Sequence, residues 1–443
     1  MAPVADPITH LATVADDLID PRVGIIRYCV EQENEAGAPS FFRFVAEAAN
    51  TAPIAGFKNF AVGSGAAATR ERACGKAIGE AVERYCSAIF ALDELPLCSW
   101  KKRSFPAIAP KEFALYRRDQ LRQRGFPFVD FTEDTPVRWV KGTDLVTGHS
   151  CFVPAAMVYA PYLYIQGSGD NPIVQSISTG LACHVGPERA LISAICEVIE
   201  RDAFTLFWQA RCSPPQILIE TLSEANKDLI RRFTEACYDV RIFDLTTDVG
   251  ISTILSVLRC AQPDAPPLVF AAATALAPEE AVRKSLEELA HTARYMQQLK
   301  VSTPPVSDAT DCTEVFDQID HLRFWCDETK SSLCDFVFAS DRRIEFGKLL
   351  DHSTGSLSGG LASLVRKIDE IGHSVIGIDL TTEDVAQLGL SVVRAIVPGF
   401  HPLFMGFQNR ALGGERLWCV PQRLGYSGID RALGDNPLPH PFA

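Results

Sequence analysis

Two twenty-residue stretches of this 443-residue chain, ERACGKAIGEAVERYCSAIF (71–90) and ERALISAICEVIERDAFTLF (188–207), align without a gap and share nine residues. The matches include Glu80/Glu197, Glu83/Glu200 and Arg84/Arg201, so an ExxER motif recurs in register. The duplication constrains the fold more than any local propensity, because it demands two equivalent helix-bearing halves. Glutamates three apart share one helix face, about 5–6 Å apart at Cβ. Their neighbours Ala77, Ile78, Ala81 and Val82, and Ala194, Ile195, Val198 and Ile199, are small or apolar, so each pair is expected beside a buried stripe. Four carboxylates gathered in a partly buried place repel and raise one another's pKa unless cations compensate. A hard divalent ion such as Mg2+, which takes oxygen ligands and keeps places for phosphate, is the natural compensation. A single ExxER reads more readily as a surface ion pair; its duplication in register favours the metal. A fainter third copy at 280–291 sets Ala281, Leu286 and Glu288 on Ala73, Ile78 and Glu80, with His291 in place of the second glutamate.

Composition narrows the partners. With 55 acidic against 42 basic residues and a net charge of −13, a sequence-independent grip on nucleic acid or anionic membrane is not expected, since such binding runs on excess Lys and Arg. No apolar run approaches the length of a membrane span and the start has no signal layout, so the expected location is cytosolic. The 14 cysteines show no CxxC or zinc-like pairing and the nine histidines no HExxH; most cysteines are expected as small buried apolar side chains.

Segments 59–63, 137–145, 251–258, 267–272 and 391–397 read as strands, and 70–90, 187–211, 221–237, 278–299 and 383–389 as helices. That mixture predicts an α/β or α+β protein, with surface loop at 301–312 and an irregular end, GDNPLPHPFA. The segment GSGAAATRERA (63–73) imitates the dinucleotide turn GxGxxG poorly, having Ala68 for the third glycine, and there is no GxxxxGK[ST]. A nucleotide triphosphate would therefore be anchored through metal-bridged carboxylates.

With these residues the chain resembles the YcaO family of ATP-dependent enzymes that modify peptide backbones. The resemblance rests on GSGAAATRERACGKAIGEAVERY (63–85), WVKGTDLVTG (139–148), VPAAMVY (153–159), STGLACHVGPERALISAICEVIERDAF (178–204), VVRAIVPGFHPL (392–403) and NPLPHPFA (436–443). It implies a YcaO-type fold of duplicated helix-on-sheet halves around an ATP site, with Glu80, Glu83, Glu197 and Glu200 holding Mg2+ against the phosphates. Arg84 and Arg201 would face phosphates or hold the glutamates. The nucleotide set implied further comprises Ser64, Lys76, Ser193, Glu288, His291 and Arg294. Three departures stand out: Ser64 occupies the place of a lysine in a Gly-Lys-Gly, Lys76 replaces a helical serine that Ser193 keeps in the second copy, and His291 and Arg294 stand where a Gln and Arg usually close the third helix.

The ending resembles that of azoline-forming members, whose PxPxP tail returns to the active site. That assigns a catalytic part to Pro437, Pro439, Pro441 and the terminal Ala443. A pre-extended proline segment suits docking because it loses little entropy. The implied reaction is cyclodehydration of a ribosomal precursor peptide to thiazolines or oxazolines, with ATP and Mg2+ as cofactors and the tail carboxylate or a nearby histidine as base. The rivals are a thioamide- or amidine-forming YcaO enzyme and a non-catalytic scaffold of the same fold. Residues 1–55 are expected as an N-terminal extension, 56–430 as the catalytic domain and 431–443 as the tail. So short an extension implies a separate leader-peptide-binding partner resembling ubiquitin-activating enzymes; homodimerisation is left open.

Overall fold

The first repeat helix, Arg70–Cys86, begins after Thr69, whose extended backbone (φ −122°, ψ 151°) turns the chain out of strand Val62–Ala67. The second, Pro187–Gln209, follows Gly186 at φ 76° and opens on Pro187, whose missing N–H costs nothing in a first turn. The third, Pro278–Ser302, opens in the same way, with Glu279 and Glu280 set against the positive end of the helix dipole. The third helix therefore runs past 299 into the stretch expected as a loop. The computed structural model describes residues 7–34, 37–304, 306, 312 and 314–442, so much of the expected loop lies outside the described residues.

Three sheets carry these helices. Ile26–Glu31, Phe42–Ala48 and Val62–Ala67 form an antiparallel sheet in that order, so residues from the expected N-terminal extension pair directly with the strand before the first helix. A six-stranded sheet runs Leu97–Cys98, Val137–Asp144, Ile376–Asp379, Leu390–Ile396, Leu181–Val185, with Ser150–Pro154 paired to Val137–Asp144. The third sheet orders Leu268–Thr274, Thr253–Arg259, Asp239–Asp244, Gln216–Ile217 and Arg343–Ile344; only its last pair is parallel. The mixture of helix and sheet is the one expected, and its strands pair mainly antiparallel. The strand read at 59–63 instead begins at Val62, because its glycines weaken the β signal that the pattern relies on.

The helices and their strands close a ring. The first helix packs on Val62–Ala67 and on Leu181–Val185, the second on Leu181–Val185 and Leu268–Thr274, and the third on Leu268–Thr274 and back on Val62–Ala67. Ala77, Ile78, Ala81 and Val82 of the first helix and Ala194, Ile195, Val198 and Ile199 of the second are buried, as the stripe required. Small residues on the first helix let the strand beneath come close. A Cβ on Gly65 would overlap Ala73 O and Ala77 N, and one on Gly63 would overlap Ala77 O and Ala81 N. The glycines that imitate a dinucleotide turn are thus contact surface between strand and helix.

Overpacking of this kind typically costs 1–3 kcal/mol. Gly65→Val is expected to lower the unfolding free energy by about 3 kcal/mol, read as a fall in thermal midpoint; an unchanged midpoint would show that the strand and helix can separate freely.

Candidate functional site: a carboxylate cavity and a docked C-terminal tail

A cavity of about 1520 Å3 opens where the three helices meet, and it is lined by Ser64, Lys76, Glu80, Glu83, Arg84, Ser193, Glu197, Glu200, Arg201, Glu288, His291 and Arg294. Every residue expected to hold metal or nucleotide thus faces one space. The two ExxER motifs are held there by the same device. Glu80 Oε2 accepts from the Ser64 N–H at 2.8 Å and Oε1 from Arg84 Nη2 at 2.8 Å. Glu197 Oε2 accepts from the Gly180 N–H at 3.0 Å and Oε1 from Arg201 Nη2 at 3.3 Å. Each first glutamate is therefore tied to the backbone leading its own unit and to the arginine one turn on.

Each second glutamate reaches the next strand round the ring. Glu83 Oε1 accepts from the Cys183 N–H at 2.9 Å, and Glu200 Oε2 from the Thr274 N–H at 3.2 Å. On the third helix His291 completes the cycle, its Nε2 lying 3.1 Å from Ser64 Oγ. Burial pushes the Glu83 carboxyl up to about 8; Arg84 and the Cys183 N–H oppose this, while Glu80 and Glu197 add to it. Burial does the same to Glu200, also up to about 8, against the opposing pull of Arg201 and with Glu197 and Glu288 adding.

Lys76 is engaged on the cavity wall rather than free to move across it. Its Nζ donates to Ala66 O at 2.9 Å and to Glu287 Oε2 at 2.8 Å. Glu287, fully buried, also takes Arg283 at 2.8 Å and lies 3.6 Å from Arg72. Burial alone would raise its pKa, but Lys76, Arg283 and Arg72 outweigh it and bring the carboxyl to about 2. Arg294 donates to Gln297 Oε1 at 3.1 Å, while Ser193 and Glu288 stand at the cavity wall.

Sequence reasoning missed three residues of this region. Glu287 is hidden in the sequence because the repeat aligns its neighbour Glu288. Arg394, in the middle of strand Leu390–Ile396, donates to Ile177 O at 2.9 Å; burial draws its pKa down to about 10 while the charge of Glu197 opposes that. An arginine amid VVRAIV was the available signal. The third is Phe442.

The proline tail is docked. Proline has no N–H, so only its carbonyls need partners. Trp325 Nε1 donates to Pro439 O at 2.9 Å and Trp208 Nε1 to Leu438 O at 3.1 Å, while Asn436 bonds the backbone of Trp208 and Gln209. Pro437 is exposed, whereas Pro439 and Pro441 are buried. His440 Nε2 donates to Phe404 O at 2.8 Å and its Nδ1 accepts from the Phe442 N–H at 3.3 Å, so both ring nitrogens are occupied. Phe442 lies against Phe204, ring centroids 4.4 Å apart, and against the guanidinium of Arg201, 4.4 Å from its ring centroid. Ala443 lies outside the described residues.

Among the described residues, no three or more His, Cys, Asp or Glu side chains form a group that could by itself hold a metal ion. The glutamates stand as two arginine-clamped pairs. Their chemistry nevertheless fits Mg2+: the donors are all carboxylate oxygens, and the half-buried Glu83 and Glu200, whose carboxyls are pushed up to about 8, would give up protons to a divalent cation. Bound there, Mg2+ supplies neutralisation of phosphate charge.

The titration has a definite sign. Glu83 and Glu200 bind protons up to about pH 8 in the folded, metal-free protein but only to about 4.5 when unfolded. Their contribution to stability is complete below pH 4.5 and is lost as pH rises through 8. Mg2+·ATP binding at about pH 6.5 should therefore release protons, read by calorimetry in buffers of different ionisation enthalpy. Binding heats that are independent of the buffer would contradict the burial of these carboxyls. Glu83→Gln should raise the metal-free thermal midpoint at pH 8 while weakening Mg2+·ATP binding at least about tenfold.

The fold is shared with solved structures. A heterocyclase in complex with substrate and cofactor superposes with a TM-score of 0.82 at 20% identity over 100% of this chain, which spans 58% of that protein's length. YcaO from Methanopyrus kandleri, bound with AMPPCP and Mg2+, matches with a TM-score of 0.65 at 22% identity, covering 89% of this chain and 91% of that one. A chain of the E. coli microcin synthetase McbBCD complex gives a TM-score of 0.56 at 14% identity, covering 84% and 88%. The family model described as YcaO cyclodehydratase, ATP- and Mg2+-binding, matches residues 64–401, which contain both glutamate pairs, their arginines and the third helix. The chain thus belongs to the YcaO family, and its cofactors are ATP and Mg2+.

Proposed function

We propose that this chain is an ATP-dependent cyclodehydratase that forms thiazolines or oxazolines from Cys, Ser or Thr of a ribosomal precursor peptide. The observation that carries this reading, over other YcaO activities, is the proline tail seated against the second ExxER motif through Phe442 and Arg201. A flexible end would leave its carbonyls to water; this one is bonded by two tryptophans inside the core. The cavity, at about 1520 Å3, exceeds the usual size of a site for one small molecule, which leaves room for a peptide segment beside the nucleotide.

In the proposed reaction a Cys, Ser or Thr side chain adds to the preceding backbone carbonyl. The resulting oxyanion is phosphorylated by ATP, ADP departs, and loss of inorganic phosphate with a proton closes the ring double bond. The protein's task is positioning and charge stabilisation. Glu80, Glu83, Glu197 and Glu200 would hold Mg2+, Arg84 and Arg201 would keep those carboxylates oriented, and Ser64, Lys76, Ser193, Glu288, His291 and Arg294 would line the nucleotide. His440 has no free ring nitrogen, so the base would be the carboxylate of Ala443 or another histidine facing the cavity, such as His291. In this reading Pro437, Pro439 and Pro441 deliver the chain end. Residues 56–430 act as the catalytic domain, residues 1–55 precede it, and a separate leader-binding protein resembling ubiquitin-activating enzymes brings the peptide in the cytosol. The E. coli similarity is to a chain of a synthetase complex, which supports a partnered enzyme. No described helix is long and apolar enough to cross a membrane.

The test is mass spectrometry of a Cys/Ser/Thr-rich candidate precursor after incubation with enzyme, partner, Mg2+ and ATP. Loss of one water per modified residue is expected. Replacement of oxygen by sulfur would establish the thioamide alternative, and an unchanged mass without ATP turnover the scaffold. Glu197→Ala should lower ATP turnover about a hundredfold or more with the fold retained. Removing the last five residues should impair ring formation more than it lowers the thermal midpoint; undiminished product would sever the tail from catalysis.

A further inference from the structure

The two arginines of the duplicated motif are held differently. Arg84 makes one close bond, 2.8 Å to Glu80. Arg201 spans both of its glutamates at longer range, 3.3 Å to Glu197 and 3.4 Å to Glu200. Its guanidinium plane instead has the Phe442 ring behind it at 4.4 Å, and among the described residues no aromatic ring takes that place for Arg84. Phe442 is 2% exposed, wedged against Phe204 of the second helix and bridged to Phe270 of the strand whose Thr274 N–H binds Glu200. A flat guanidinium stacks on such a ring, and desolvation strengthens the contact.

We infer that Phe442 is a positioning residue for the nucleotide half of the site. By stacking on Arg201 it fixes the guanidinium midway between Glu197 and Glu200, so that docking of the tail and binding of Mg2+·ATP are thermodynamically linked. By reciprocity, nucleotide binding would then tighten the tail in its groove. The inference rests on the reading of Glu197, Glu200 and Arg201 as nucleotide-site residues, and it extends the tail's part from peptide chemistry to cofactor binding. The first half of the site lacks this coupling, so the link is confined to the second ExxER motif.

The experiment is a double-mutant cycle on the full-length protein without peptide, reading the affinity for Mg2+ with a nonhydrolysable ATP analogue by calorimetry. Phe442→Leu keeps an apolar plug but removes the ring, Phe442→Tyr keeps the ring, and Arg201→Lys keeps charge but removes the plane. The Leu variant should bind about tenfold more weakly while the Tyr variant binds as wild type. Combining Phe442→Leu with Arg201→Lys should add little to Arg201→Lys alone. Fluorescence of Trp208 and Trp325, which hold the tail carbonyls, should become less sensitive to nucleotide in the Leu variant. Wild-type affinity in Phe442→Leu, or fully additive effects in the double variant, would overturn the inference. With no peptide present, the result is independent of which product the enzyme makes, so failure here and failure of the cyclodehydratase reading are separable.

Discussion

The molecule turns on where the second acidic residue of each motif finds its hydrogen-bond donor. Glu83 and Glu200 each take a backbone N–H from the strand that supports the next helix, Cys183 and Thr274 respectively. His291 does the equivalent from the third helix by reaching Ser64. A buried carboxylate must find donors, and here those donors lie more than seventy residues along the chain. The need to satisfy it therefore draws consecutive units together and brings the glutamates that line the cavity inward. Function and long-range folding share these bonds.

The same arrangement explains the distribution of charge. Glu80 and Glu197 have arginines one turn away, and Glu287 has Lys76, Arg283 and Arg72 around it, so it stays ionised in the core. Glu83 and Glu200 are the less compensated pair, and burial drives both carboxyls up. That imbalance costs stability in the metal-free protein and leaves an opening for a divalent cation. In the proposed function, the formal −13 counts carboxyls that Mg2+ would neutralise on binding.

Much of the site was legible because the ExxER motif is both periodic and duplicated; all of its glutamates and arginines face one cavity. Helices marked by proline at the first turn were equally plain. What local pattern could not supply was pairing at a distance. Strands Ile26–Glu31 and Phe42–Ala48 carry little local signal: the first pairs with the second, and the second is held to the helix-bearing unit by Val62–Ala67, a glycine-bearing strand with weak propensity of its own. The glycines Gly63 and Gly65 looked like a failed phosphate turn, and their purpose emerged only from the helix pressed on them. On the third helix the repeat drew attention to Glu288, whereas helical rotation carries Glu287 to the buried ion cluster. Prolines 437, 439 and 441 marked the tail as pre-extended, but its groove is made by Trp208 and Trp325, and no spacing rule links those to the chain end.

In the proposed function, the ring of three helices would hold ATP where a peptide carbonyl oxygen can be activated, with the tail docked against the second ExxER motif. The most direct measurement follows the oxygen. A precursor peptide carrying a heavy-oxygen label in the backbone carbonyl preceding its modified Cys, Ser or Thr is incubated with the enzyme, its partner, Mg2+ and ATP, and the released inorganic phosphate is examined by mass spectrometry. The account predicts that the label appears in phosphate, one atom for each ring formed. Label found in water or retained in the modified peptide would contradict it.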